Sequence, residues 1–242
     1  LKGIFITGTD TNIGKTFVAC AIARVLRKKH VDVGIMKPFA TSHRRFSTRF
    51  RSEDVRSLVR AAGVTDPEDL VNPYFYKTGT APLLAAKICK CAPPQIEYAL
   101  KKLKRLREEH DFLVVEGIGG IMIPLSATET LLDFIEIVGF PVIIVTSPRL
   151  GTINHTMLTF CACRARNVSV SGIIINKRPS RPSKVQDRLR SLFAELTGVS
   201  SVIEIPRFRY GALKKADDLI ERELLDLSRN SVIGLKTQDY SS

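Results

Sequence analysis

Six short apolar runs recur along the chain, each separated from the next by residues of helical periodicity: GIFIT, VDVGIM, FLVVEG, PVIIVT, VSGIIIN and SVIEIP. Unbroken Val/Ile runs suit strands buried on both faces, and their alternation with helices predicts a parallel sheet joined by right-handed crossovers. The spacing predicts helices over 15–29, 54–62, 81–90, 95–108, 131–138, 152–165 and 184–197, with the Pro-containing CAPPQ and RPSRPS stretches as loops. No repeat, low-complexity block or linker divides the sequence, so residues 1–242 read as one α/β domain with a mostly parallel sheet flanked by helices in three layers.

Between the first apolar run and the first helix lies GTDTNIGKT. The phosphate-loop pattern is G-x-x-x-x-G-K-[ST], and counting back from Gly14-Lys15-Thr16 puts Thr9 where that pattern has glycine. An ordinary turn is the competing reading, and the flanking elements argue against it. The preceding GIFIT reads as a buried strand. In KTFVACAIARVLRKKH, Val18, Ala21, Ile22, Val25 and Leu26 recur at helical spacing, and basic residues gather at the end the dipole favours. Strand, glycine-containing loop and helix together aim backbone N–H groups and a helix N-terminus at phosphate oxygens. Lys15 would reach the outer phosphates and the Thr16 hydroxyl would bind Mg²⁺, which makes this a P-loop-type fold.

In such sheets ligands sit beyond the C-terminal ends of the strands. Lys37 and Pro38 follow the second run; Glu116, Gly117, Gly119 and Gly120 close the third; Asn176 ends the fifth; Pro206 follows the sixth. Each alone reads equally well as a strand terminator, but together they should surround Lys15.

The chain carries 37 Lys and Arg against 24 Asp and Glu, a net charge of +13. That balance raises nucleic acid or acidic ligands as partners. The charge is spread over Arg44 to Arg60, Lys101 to Arg107 and Lys177 to Arg190, however, and no zinc-finger, RNA-binding aromatic or helix-turn-helix pattern accompanies it, so solvated surface is the reading and nucleic acid is not expected. Cys89 with Cys91 and Cys161 with Cys163 are too closely spaced for C-x-x-C metal or redox sites, and buried or semi-buried free thiols are expected. With no apolar run of membrane-spanning length and no leader before the first strand, a soluble cytoplasmic protein without membrane contact is expected.

TGTDTNIGKT, KPFATS at 37–42, EGIGG at 116–120, RLGTINH at 149–155 and GIIIN at 172–176 together resemble the dethiobiotin synthetase family, in that family's order and spacing, from the first strand to about Pro206. The extra residue between Gly8 and Gly14 is the family's own form of the loop. The resemblance implies an ATP-dependent ring closure of 7,8-diaminononanoate with CO₂ (or bicarbonate) to dethiobiotin, ADP and phosphate. It implies Lys37 and Lys15 as catalytic residues and Thr16, Asp54 and Glu116 as magnesium positions. Nucleotide contacts would come from Asn12, Ile13, Gly14, Lys15, Thr16 and Phe17, and from Asp54, Glu116, Gly117, Gly119, Asn176 and Pro206. Substrate contacts would come from Thr11 and Thr41, and from Gly151, Thr152, Ile153 and Asn154 reaching across a homodimer interface. Asn12 stands where many relatives have Glu, Thr41 where many have Ser, and PRFRYGALKK lacks the acid that many place beside the ribose. The alternative is a MinD/ParA-type ATPase switch on DNA or membrane; against it, Gly8, Thr9 and Asp10 stand where such switches have a second lysine.

Overall fold

β1 (Gly3–Gly8) runs through the middle of a sheet whose other members are β2 (Val33–Met36), β5 (Phe112–Glu116), β6 (Val142–Thr146), β7 (Val170–Asn176) and β8 (Val202–Ile205). The strands lie in the order β2-β5-β1-β6-β7-β8. Every neighbouring pair is parallel. This is a computed structural model, and it describes residues 3–43, 46–177, 188–206 and 217–223. Each of the six apolar runs became a strand of this sheet, with ends that agree to within two residues, because continuous Val/Ile sequence satisfies both covered faces.

Alternate residues of each strand feed two cores. Ile4, Ile6, Ile35, Val114, Ile143 and Ile174 pack beneath α1 (Lys15–Lys28) and α2 (Glu53–Ala62). Phe5, Met36, Leu113, Val115, Ile144 and Ile175 pack on the other side. That second layer holds α5 (Ile96–Glu109), α6 (Leu131–Val138), α7 (Thr152–Ala165) and α8 (Leu189–Thr197). The predicted helix over 184–197 is seen from Leu189; its first residues lie outside those described. A helical segment at 217–223 adds Ile220 to the first core, and Asp217 takes both Nε and Nη2 of Arg24 on α1 at 2.7 and 2.6 Å.

Three short elements were not expected from the sequence. β3 (Phe39–Thr41) and β4 (Tyr74–Tyr76) form a separate two-stranded parallel sheet, and α3 (Glu68–Val71) precedes it. α4 (Pro82–Ile88) begins with proline in its first turn, as a helix start allows. Among the described residues no helix is long and apolar enough to cross a membrane. All five cysteines are free thiols as expected; Cys20 and Cys163 are buried, while Cys89, Cys91 and Cys161 are exposed rather than buried or semi-buried.

Register positions the site. Met36 on β2 pairs with Val115 on β5, so the next residues along the two strands, Lys37 and Glu116, emerge side by side. Ile6 on β1 pairs with the same Glu116, two residues before Gly8 begins the phosphate loop.

Candidate active site

Gly14 caps α1 with φ +98°, a left-handed conformation that costs glycine little. A side chain there would also collide with Asn176, whose Nδ2 lies 2.0 Å from where a Cβ would stand. Asn176 instead donates to the Ile13 carbonyl at 2.8 Å, so the end of β7 braces the loop from behind. Asn12 is also left-handed, at φ +58°, a backbone state asparagine tolerates better than most residues. The first turn of α1 carries no acidic residue and no side-chain cap, which leaves its N–H groups turned toward an anion. Lys15 folds back over the loop and donates to the Asp10 carbonyl at 2.6 Å. Burial, with repulsion from Lys37 added, pushes its ammonium down to about 8.

Beside the loop lies a corner of opposite character. Lys37 is 4% exposed and Glu116 1%. The Lys37 Nζ donates to Glu116 Oε1 at 2.6 Å and meets Asp54 Oδ2 at 2.9 Å. Thr16 Oγ1 donates to the same Glu116 Oε1 at 2.7 Å. Burial works against the Lys37 charge, but the two carboxylates outweigh it and hold the group above its ordinary range. The Lys37 charge in turn holds Asp54 below the usual carboxylate range, while burial pushes Glu116 up against the pull of Lys37. Asp54 sits in the first turn of α2, where the helix dipole also favours an anion. The Lys37 main chain is pinned: its N–H donates to Val71 at 2.9 Å, and its carbonyl accepts from the buried Asn72 side chain at 2.6 Å. Asn72 was not singled out from the sequence, where only its place after the apolar Leu70-Val71 pair marks it.

Loop and corner share one cleft of about 300 Å³. The candidates Thr11, Asn12, Gly14, Lys15 and Thr16 line it, with Lys37, Thr41, Asp54, Glu116 and Gly119; Ile118, not singled out beforehand, lines it too. Ile13 is buried behind the loop, and Phe17 packs against the α1 core. Gly117 lies against Phe5 and Leu131 rather than on the cleft, and Pro206 is exposed just past β8. Glu116 Oε2 is buried with no hydrogen-bond partner among the described residues, an unusual and costly state for a carboxylate oxygen. With the Thr16 hydroxyl and the Asp54 carboxylate it forms a small hard-oxygen donor set. That set fits Mg²⁺, which takes a few protein oxygens and completes its shell with phosphates and water.

The match to known proteins extends well beyond this cleft. A family model described as an AAA domain matches residues 2–215. The ATP-dependent dethiobiotin synthetase of Nitrosopumilus maritimus is 39% identical over 206 residues, 85% of this chain and 89% of its own. That of Bacillus licheniformis is 36% identical over 82% of this chain and 83% of its own. The chain belongs to the dethiobiotin synthetase family. The backbone is also similar to an AMPPNP-bound putative plasmid partition protein from Borrelia burgdorferi, with TM-score 0.55 and 13% identity over 95% of this chain and 98% of that one. A chain of the MinC:MinD cell division protein complex of Aquifex aeolicus gives TM-score 0.52 at 14% identity, over 100% and 99% of the two chains. At such identities these two show a shared P-loop fold and no more.

Gly151 to Asn154 do not line the cleft of their own chain. Gly151 caps α7 at φ +88°, and the Thr152 hydroxyl faces inward, 2.8 Å from that of Thr146. Thr9 and Thr156 both donate to the same Thr146 oxygen, at 3.2 and 3.0 Å. A hydroxyl has one proton and two lone pairs, so Thr146 accepts from those two and donates to Thr152. This knot ties the phosphate loop to the start of α7 and occupies the Thr152 side chain. Ile153 and Asn154 face outward, next to the fully exposed Leu150.

Proposed function

We propose that this chain closes the ureido ring of dethiobiotin, using 7,8-diaminononanoate, CO₂ and ATP and releasing ADP and phosphate. The observation that carries this reading is the gathering of Lys15, Thr16, Lys37, Asp54 and Glu116 around one cleft at the mouth of the phosphate loop. Family membership says which reaction such a cleft serves.

The chemistry asks for positioning and charge neutralisation more than for acid–base work. One substrate amine and CO₂ give a carbamate and a proton. A carbamate oxygen then attacks the γ-phosphorus, the bond to the ADP oxygen breaks, and a carbamic–phosphoric anhydride results. The second amine attacks the anhydride carbonyl, loses its proton and expels phosphate, which closes the ring. Lys15 and the N–H groups of the α1 first turn hold the outer phosphates, and Asn176 would contact the base. Lys37 faces the region where carbamate and γ-phosphoryl charges meet. Thr11 and Thr41 offer hydroxyls to the diamine. Thr16, Asp54 and Glu116 would hold Mg²⁺, which supplies charge neutralisation at the β- and γ-phosphates.

A homodimer completes the reading. At the start of α7, Leu150 and Ile153 are exposed large apolar groups, which a second copy would cover. Such a copy would bring Gly151, Ile153 and Asn154 toward its neighbour's cleft, with backbone rather than the Thr152 hydroxyl available for contact. Leu150→Asp should convert a sedimenting dimer to monomer and depress activity; full activity in a monomeric parent protein would refute the shared site. Residues 1–242 act as one domain in this reading. The cytoplasm suits its free thiols, and nucleic acid and membrane have no part. The positive surface groups form pairs such as Arg24–Asp217, Lys102–Asp69 and Arg166–Asp133.

The deciding experiment measures ADP and dethiobiotin from the purified protein with Mg²⁺ and ATP, with and without diaminononanoate plus bicarbonate, and in parallel with DNA. Product and turnover that need both small substrates are expected. Turnover stimulated by DNA alone, without product, would favour a nucleotide switch.

A further inference from the structure

The Lys37 ammonium stands where a bound cation would stand. It lies between Glu116 Oε1 at 2.6 Å and Asp54 Oδ2 at 2.9 Å, with the Thr16 hydroxyl on the same Glu116 oxygen. These are the three residues whose oxygens suit a divalent metal, and Glu116 Oε2 beside them is left with no partner among the described residues. In this state two of its three N–H donors are held by carboxylates, and its charge is neutralised where it stands.

We propose that Lys37 is an exchangeable counter-ion: it neutralises Glu116 and Asp54 while the metal is away, and it is released toward the reacting groups only when a divalent cation takes those carboxylates. The inference rests on the metal reading of Thr16, Asp54 and Glu116 given above. Charge balance supports it. Without ligands, the two carboxylates are matched by the two ammonium groups of Lys15 and Lys37, and a buried carboxylate deprived of such a partner is strongly disfavoured. A divalent cation on the carboxylates makes the Lys37 charge redundant there. A triphosphate and a carbamate in the same cleft then supply new anions for it. The pinning of the Lys37 main chain by Val71 and Asn72 leaves its side-chain torsions as the moving part. The fold thereby withholds the catalytic charge until the metal is present, so phosphoryl transfer is not assisted in a metal-free complex.

The test compares Mn²⁺ binding, read by water-proton relaxation, in the nucleotide-free parent protein and in Lys37→Met. Removing the competing charge should tighten Mn²⁺ binding by about tenfold or more, given the strength of charge interactions at this separation in a partly buried site. Lys37→Arg, which keeps the charge, should remain weak. Equal or weaker binding by a folded Lys37→Met protein overturns the exchange. Adding Glu116→Gln to Lys37→Met should abolish the gain; if the gain persists, the metal lies elsewhere and the reading of Glu116 fails instead. A second measurement needs no variant. Acetylation of Lys37 by acetic anhydride, followed by mass spectrometry in the parent protein, should accelerate when Mn²⁺ is added, and an unchanged rate also overturns the proposal.

Discussion

Two adjacent strands carry the same ionic device at both ends. At the C-terminal ends of β2 and β5, Lys37 lies between Glu116 and Asp54. At the N-terminal ends, His110 lies between Asp32 and Asp66, at 2.9 and 3.2 Å. Each is one cation between two carboxylates, yet they do different things. The first opens on a cleft, adjoins the phosphate loop and is built on a cation that stays charged throughout the physiological range. The second lies away from that cleft, closes the turn before β5, and is built on the one side chain that titrates near neutrality. Placement at the strand C-terminal edge makes an ion cluster a site, and placement at the other edge makes it a staple.

The sharpest way to break this comparison is Lys37→Gln. Product formation should fall on the order of a hundredfold or more, the usual consequence of losing one preorganised charge at a transition state. Nucleotide binding, measured by calorimetry, should persist through Lys15 and the loop N–H groups. Near-normal product formation would reduce the C-terminal cluster to a staple like the other; lost nucleotide binding would move Lys37 into the phosphate site. Some stability will go as well, because Glu116 and Asp54 lose their partner.

Much of the C-terminal cluster was legible in the sequence because its parts sit at strand ends. Lys37 and Glu116 each follow an apolar run, and a parallel register of neighbouring strands is enough to bring them together. Lys15 and Thr16 announce themselves by local pattern. Asn72, Ile118 and the Thr9–Thr146–Thr156 hydroxyls carried no comparable signal, since each matters only through a neighbour distant in sequence. β3 and β4 went unread for a related reason. Their three-residue stretches show no periodicity, and they become strands only by pairing with each other across 35 positions, from Phe39 to Tyr74. His110 likewise stands just past the helix expected over 95–108, with no pattern of its own. Nothing local indicated that Gly34 would leave room for its ring, which lies 2.4 Å from where a Gly34 Cβ would be.

Within the catalytic edge, the two lysines offer a finer contrast. Lys37 has its counter-ions built in, whereas Lys15 has a carbonyl and waits for phosphate, so burial brings it down to about 8. Above that pH the free protein loses the Lys15 proton, and an arriving anion must bring one back. Nucleotide affinity should therefore fall by about tenfold as pH rises from roughly 7.5 to 9, with uptake of about one proton per nucleotide at the upper end. Calorimetry in two buffers of different ionisation enthalpy gives that number directly. Zero uptake would mean that Lys15 is charged without help and that the contrast with Lys37 is wrong.

The smallest expected effect lies at the opposite edge, in His110. A neutral imidazole donates one hydrogen bond, and only the protonated ring donates to both Asp32 and Asp66. Burial works against that charge, but the two carboxylates outweigh it, and the His110 pKa lies above the ordinary 6.5. A group whose pKa is raised by folding adds stability that is fully present below its unfolded value and disappears as pH rises through its folded value. His110→Gln should then cost on the order of 1 kcal/mol near pH 5.5, in keeping with a partly exposed ion pair, and less as pH climbs well past 6.5. Denaturant unfolding of parent and variant across that range measures the difference, and any packing lost with the ring contributes a pH-independent offset. Dethiobiotin formation should stay within about twofold of the parent where both are folded, since no part of His110 reaches the cleft. A stability gap that is flat in pH would mean the ring is held by packing over Gly34 alone. A gap that widens toward alkaline pH would show the neutral ring to be the stabilising form, and the likeness between the two ends of β2 and β5 would then be one of geometry without shared electrostatics.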